Sequence, residues 1–174
     1  LQNERTVFEA LAQNFPTFAG QVALHEPEDV RPGWSRDAVE ELQSRLGVPL
    51  PTSYRTFLES CRQLTLLGGV VQFSEHHPFF HNFPPLSALS SPQLQSVRAR
   101  GADWPPPSQG MLCFAEFFLE ADGDQVLFDV SGGLQNGEYP VVYYAHDAPS
   151  IRVLATSFGE FLEGCLDHFN LDEE

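Results

Sequence analysis

Between residues 111 and 154 the chain alternates short apolar runs with turn signals, and that alternation limits the fold more than any other feature. Residues 111–119 are apolar almost throughout, as a strand buried on both faces must be. Ala121-Asp122-Gly123-Asp124 is a hairpin turn signal. Val126, Phe128 and Val130 then alternate on a returning strand. Gly132-Gly133 and Asn136-Gly137 mark the next connection, and residues 139–146 form a third strand rich in β-branched and aromatic side chains. After Asp147-Ala148-Pro149-Ser150, residues 151–154 supply a fourth. Hairpins at this spacing make an antiparallel sheet.

The flanking segments have helical period. Val7, Leu11, Phe15 and Phe18 recur at three- and four-residue spacing, which predicts a helix over 3–14 ended by Pro16. A loop through Pro27 and Pro32 leads to Ser35, an N-cap for the stripe Ala38, Val39, Leu42 and Leu46, with Asp37 in the favourable first turn. Gly47 fits a helix stop, Val48-Pro49-Leu50-Pro51 cannot continue a helix, and Pro51 suits the first position of the next. Tyr54, Phe57, Leu58 and Cys61 give that helix its buried face, and residues 70–73 read as a short strand. Thr156 or Ser157 caps a closing helix, with Glu160 completing a capping box from Ser157 and Phe158, Phe161, Leu162, Cys165 and Phe169 facing inward. The expected fold class is α+β, with helices packed on an antiparallel sheet. Residues 1–33 read as an N-terminal helical extension and 34–174 as the domain proper, the two forming one compact unit. Within it, 74–110 is an irregular proline- and histidine-rich insertion with one short helix near 92–99.

Charge narrows the function. The chain has nine arginines, no lysine and 24 acids, for a formal net charge of −15. Without lysine there is no Schiff-base chemistry and no Walker A phosphate loop. So acidic a chain is not expected to bind nucleic acid, whose affinity comes from cations placed on phosphates, nor an anionic membrane surface. No run of about 18 apolar residues suggests a membrane span, and the first fifteen residues read as an amphipathic helix rather than a signal peptide. Cys61, Cys113 and Cys165 are widely spaced, with no CxxC, so reduced buried thiols in a cytoplasmic protein are expected. The charge is uneven: −4 over residues 1–60, +1 over 61–110 and −12 over 111–174.

Three segments, in this order, resemble the SMI1/KNR4 family of the SUKH superfamily. The first runs from Val39-Glu40-Glu41-Leu42 through Leu46-Gly47-Val48-Pro49-Leu50-Pro51 to Tyr54, Phe57 and Leu58, like the family's helix, LG-x-x-LP turn and second helix. The second is Gly123-Asp124 with Phe128-Asp129. The third is Tyr139-Pro140-Val141-Val142-Tyr143-Tyr144-Ala145-His146, followed by Ser157-Phe158 and Phe161-Leu162. The family commonly has a glycine soon after the second helix, where this chain has Cys61-Arg62-Gln63 and only later Gly68-Gly69. The resemblance implies a SUKH-like α+β fold and a role without catalysis. Bacterial members are similar to immunity proteins that neutralise toxins, often nucleases, of contact-dependent or polymorphic systems. Eukaryotic relatives are regulatory scaffold or adaptor proteins.

The residues suggest other chemistries as well. His76-His77-Pro78-Phe79-Phe80-His81 offers His76, His77 and His81, with Glu75, as metal ligands for a metal-dependent enzyme. The spacing matches no established zinc motif and Pro78 spoils helical geometry, so an exposed aromatic loop is expected and no metal or cofactor. Asp122, Asp124 and Asp129 do not follow the EF-hand pattern. Ser157 lies in no nucleophile elbow. The acids at 160, 163 and 167 have helical spacing and read as a solvated face. The partner expected is therefore a cognate toxin, or another protein, with a basic surface. The acids Asp122, Asp124, Glu138 and Asp147 are the expected contacts from turns, and Trp104 the expected aromatic contact.

Overall fold

A computed structural model describes residues 2–73, 111–117, 124–145 and 150–167. Helix α1 (Gln2–Asn14) buries Val7 and Leu11, four residues apart. Pro16 does not simply end it but opens α2 (Pro16–Val22), where the missing N–H costs nothing in the first turn. Phe15 takes the break between the two, and Phe18 and Val22 turn into the core.

The expected loop before Ser35 contains a strand, β1 (Glu28–Pro32). It lies at the sheet edge, where proline and charge are tolerated, and is held by backbone pairing to β2 across two irregularities of register. The N-terminal extension thus contributes to the sheet as well as to the helical layer.

Helix α3 (Arg36–Leu46) begins as expected: Ser35 Oγ accepts from Ala38 N at 3.2 Å. It ends at Gly47, whose φ of 75° is in the left-handed region and whose N–H donates to Gln43 O. Helix α4 (Thr52–Ser60) starts one residue after Pro51 and buries Tyr54, Phe57 and Leu58. Cys61, expected on that helix, instead turns extended and starts β2 (Cys61–Leu66). A tight turn through Leu67, Gly68 and Gly69 leads to β3 (Val71–Phe73). Then come β4 (Met111–Phe117), β5 (Gln125–Asp129), β6 (Val141–Ala145) and β7 (Ser150–Ala155), and finally α5 (Phe158–Gly164).

The seven described strands form one sheet in chain order, every neighbour antiparallel. Strands β4 and β6 are buried along their whole length. A bulge between Cys113 and Ala115 inserts Phe114, whose ring stacks on Phe128 at 4.3 Å. Phe158 at the head of α5 lies 5.0 Å from Tyr54 and 5.3 Å from both Phe57 and Phe114. Each such pair adds roughly 0.5–1.5 kcal/mol beyond burial. This aromatic cluster seats α4 and α5 on the sheet. Val7, Leu11, Phe18 and Val22 belong to the same core, so the N-terminal helices fold with the domain.

Candidate functional site

The segment between β5 and β6 is the junction of the molecule. Asn136 and Gly137 both have positive φ, 54° and 79°, as a two-residue hairpin turn of the I′ kind requires. Gln135 and Glu138 exchange two backbone hydrogen bonds across it. That turn delivers the Glu138 carboxylate to two helix starts at once. It accepts from Ser53 N at 2.9 Å and Ser53 Oγ at 2.6 Å on α4, and from Phe158 N at 3.2 Å on α5. Helix N-termini expose unpaired N–H groups and partial positive charge, and one carboxylate answers both. Gly159 N donates to Ser53 Oγ at 3.1 Å, closing the network. Thr52 N donates to Gly137 O, and Tyr139 Oη donates to Pro49 O at 2.7 Å. Burial raises the Tyr139 phenol above its ordinary pKa, which keeps it a donor.

Glu138 was expected to be a turn acid free for a partner; the structure holds its half-buried carboxylate on the starts of two helices. Asp124 needs the same correction. It is fully buried, and Tyr143 Oη donates to its carboxylate. Tyr144 is raised above its usual pKa by burial first and by Asp124 second. Asp122, Asp147, Trp104, His76, His77 and His81 lie outside the described residues. Among the described residues no group of three His, Cys, Asp or Glu could hold a metal ion. No helix among them is long and apolar enough to cross a membrane.

The acids that do face solvent lie elsewhere. Asp37, Glu40 and Glu41 lie on α3; Glu160 and Glu163 lie on α5, and Asp167 just beyond it. Glu160 is committed locally: it accepts from Thr156 Oγ1 at 2.6 Å and Thr156 N at 3.1 Å, which lowers its pKa. The expected capping box is thus shifted by one residue. Ser157 Oγ caps Glu160 N, while the Glu160 side chain reaches back to Thr156. Two concavities accompany these surfaces. One, of about 200 Å³, lies between the α1–α2 junction and α5, with Phe15, Phe18 and Leu162 as its apolar lining. The other, of about 390 Å³, is bordered by Trp34, Ser35, Glu41, Arg45 and Arg62 and mixes both signs of charge.

The model of the SMI1 / KNR4 family (SUKH-1) matches residues 33–164. The chain belongs to this family. The match starts at Gly33, where an added Cβ would lie 2.0 Å from Glu59 O, and ends with α5. The structure gives the SMI1/KNR4 sequence pattern a physical meaning. Its LG-x-x-LP turn presents Pro49 O to Tyr139 and Thr52 N to Gly137, and its Ser-Phe pair places Phe158 N on Glu138. The motifs that are distant in sequence meet at one hydrogen-bonded junction. The chain matches no curated protein.

The three thiols of this SMI1/KNR4 chain are all free and buried, as expected. Burial pushes Cys61 up to about 12 and raises Cys113 and Cys165 further in the same direction. At neutral pH they stay protonated and pack as small apolar groups.

Proposed function

We propose that this chain is a non-catalytic binding protein of the immunity type, acting in the cytoplasm, that neutralises a cognate toxin by covering a cationic surface on it. The observation that carries this reading is membership of the SMI1/KNR4 family across residues 33–164. Charge supports it. A net charge of −15 attracts a basic partner at long range and raises the association rate, an effect that salt screens. A nuclease toxin needs a cationic cleft for phosphates, so it is the class of toxin this charge suits best. Of the turn acids read from the sequence, Asp124 is buried and Glu138 is half-buried on the starts of α4 and α5, while Asp122 and Asp147 lie outside the described residues; exposed acids are found on α3 and α5. The three buried free thiols are consistent with a reducing compartment.

The test is protection. The product of the neighbouring gene, as the candidate toxin, is expressed from an inducible promoter, with and without this chain, and growth is followed. Restored growth on co-expression is expected. Unchanged killing, with both proteins present at equal level, would overturn the reading.

A further inference from the structure

The turn between β5 and β6 holds a dipeptide whose side chain and backbone can react with each other. Of the five asparagines, at 3, 14, 82, 136 and 170, only Asn136 is followed by glycine; the others precede Glu, Phe, Phe and Leu. The amide carbon of an asparagine is open to attack by the backbone nitrogen of the next residue, and a bulky next side chain hinders that attack. Glycine presents no such obstacle. The fold itself demands this pair. Position 136 has a φ of 54°, which asparagine tolerates better than most residues with a side chain. Position 137 has a φ of 79°, and a Cβ there would lie 2.8 Å from Thr52 Oγ1, so glycine is favoured twice over. Asn136 is exposed, and among the described residues neither its side-chain amide nor the Gly137 N–H has a hydrogen-bond partner.

We propose that Asn136 is a site of spontaneous deamidation whose isoaspartate product releases the junction of the fold. The Gly137 nitrogen attacks Asn136 Cγ and forms a C–N bond. That nitrogen gives up its proton, and the side-chain nitrogen leaves as ammonia. Water then opens the resulting five-membered imide at either carbonyl. Opening at the side-chain carbonyl gives aspartate. Opening at the main-chain carbonyl gives isoaspartate, in which the backbone runs through the former side chain. Water is the only reagent consumed, and either product carries a carboxylate where the amide was neutral. Aspartate keeps the backbone path. Isoaspartate adds one carbon to it, inside a two-residue turn whose length is fixed by the paired hydrogen bonds of Gln135 and Glu138. The longer loop displaces Gly137 O, which accepts from Thr52 N at 2.9 Å, and the Glu138 carboxylate, which accepts from Ser53 N and Phe158 N. Those same bonds oppose the swing of the Gly137 nitrogen toward Cγ, so local opening of the turn sets the rate. This chemistry is independent of the binding partner proposed above.

The full-length protein is aged in mildly alkaline buffer beside a blocked peptide of residues 134–138, and both are followed by mass spectrometry. Cleavage after Glu120 and Glu138 isolates residues 121–138, in which Asn136 is the only asparagine. Exchange of NH2 for OH is expected at Asn136 ahead of the other four asparagines. It should run roughly 10-fold or more slowly than in the peptide, and Glu138→Ala, which loosens the turn, should close part of that gap. Isoaspartate is detected by labelling with an isoaspartate carboxyl methyltransferase. Asp122-Gly123 can isomerise in the same fragment but without a change of mass, and Asn136→Gly measures its share of the label. The isoaspartate form, separated by ion exchange, is expected to unfold at a thermal midpoint lower by roughly 5–15 °C. Asn136→Gly keeps the turn and cannot react, so its midpoint should hold through the same ageing. No exchange at Asn136 after many half-lives of the peptide would overturn the site. An isoaspartate form with an unchanged midpoint, or an equal fall in aged Asn136→Gly, would overturn the release of the junction.

Discussion

Replacing Glu138 separates a surface acid from an internal clamp. Its carboxylate accepts three hydrogen bonds from the starts of α4 and α5, at 2.6–3.2 Å. Losing a helix cap costs about 0.5–2 kcal/mol, and hydrogen bonds to a charged acceptor contribute about 1.5–3 kcal/mol each where water is excluded. Glu138 is partly exposed, so water would re-solvate some of the freed donors and the lower ends apply. Glu138→Ala is therefore expected to cost about 2–4 kcal/mol. For a domain of this size that is a fall in thermal midpoint of roughly 5–15 °C. Glu138→Gln keeps one acceptor oxygen and should lose about half as much. The assay is urea unfolding followed by tryptophan fluorescence, with midpoint and slope fitted separately. Ser53→Ala in the same background gives a cycle, and a coupling of about 1 kcal/mol or more is expected because both side chains serve one network. A Glu138→Ala loss below about 0.5 kcal/mol, the range of an ordinary surface change, would refute the clamp.

Further outcomes follow from packing and titration. Gly33→Ala drives a Cβ to 2.0 Å from Glu59 O, which must displace backbone; a loss of about 3 kcal/mol is expected, and a thermal midpoint unchanged within error would contradict the close approach. Phe158→Ala empties the aromatic cluster between α4, α5 and the sheet and should cost about 3–5 kcal/mol in the same urea assay; a cost under about 1 kcal/mol would mean the cluster does not seat the helices. In alkali the buried thiols work against the fold. The Cys61 thiol moves from an ordinary 9.0 to about 12 on folding, so its contribution is intact below pH 9 and is lost as pH rises toward 12. The slope is about 1.4 kcal/mol per pH unit for each such thiol. Urea midpoints should therefore fall steadily above about pH 9, less steeply in Cys113→Ala, and a flat profile would show that the thiols ionise alike in both states.

The sheet was legible because its strands carry their own signals. Alternation and β-branched or aromatic content marked β4 to β7, and Asn136-Gly137 announced the turn that the structure builds. Strand β1 carried none of these, since Glu28-Asp29-Val30-Arg31-Pro32 is charged and its place is fixed by backbone pairing to β2. Cys61 was misplaced for a related reason. It continues the apolar spacing of α4, and only tertiary pairing with Pro32 turns it into a strand. Two of the expected contact acids, Asp124 and Glu138, turned out to be engaged within the fold. A turn position makes an acid look exposed, and nothing local shows that Tyr143, nineteen residues later, closes over Asp124, or that Ser53 waits 85 residues before Glu138. Phe15 and Leu162 each carry the spacing of a core residue on a separate helix, and only their packing brings them to one concavity.

Titration calorimetry of this chain against the product of the neighbouring gene, as the candidate toxin, bears most directly on the proposed binding role. A saturable complex of about one to one is expected, weakening at least several-fold as salt rises from about 0.05 M to about 0.5 M, because opposite surface charges are screened over that range. No heat of binding at any salt, with both proteins folded and the toxin active, would contradict it.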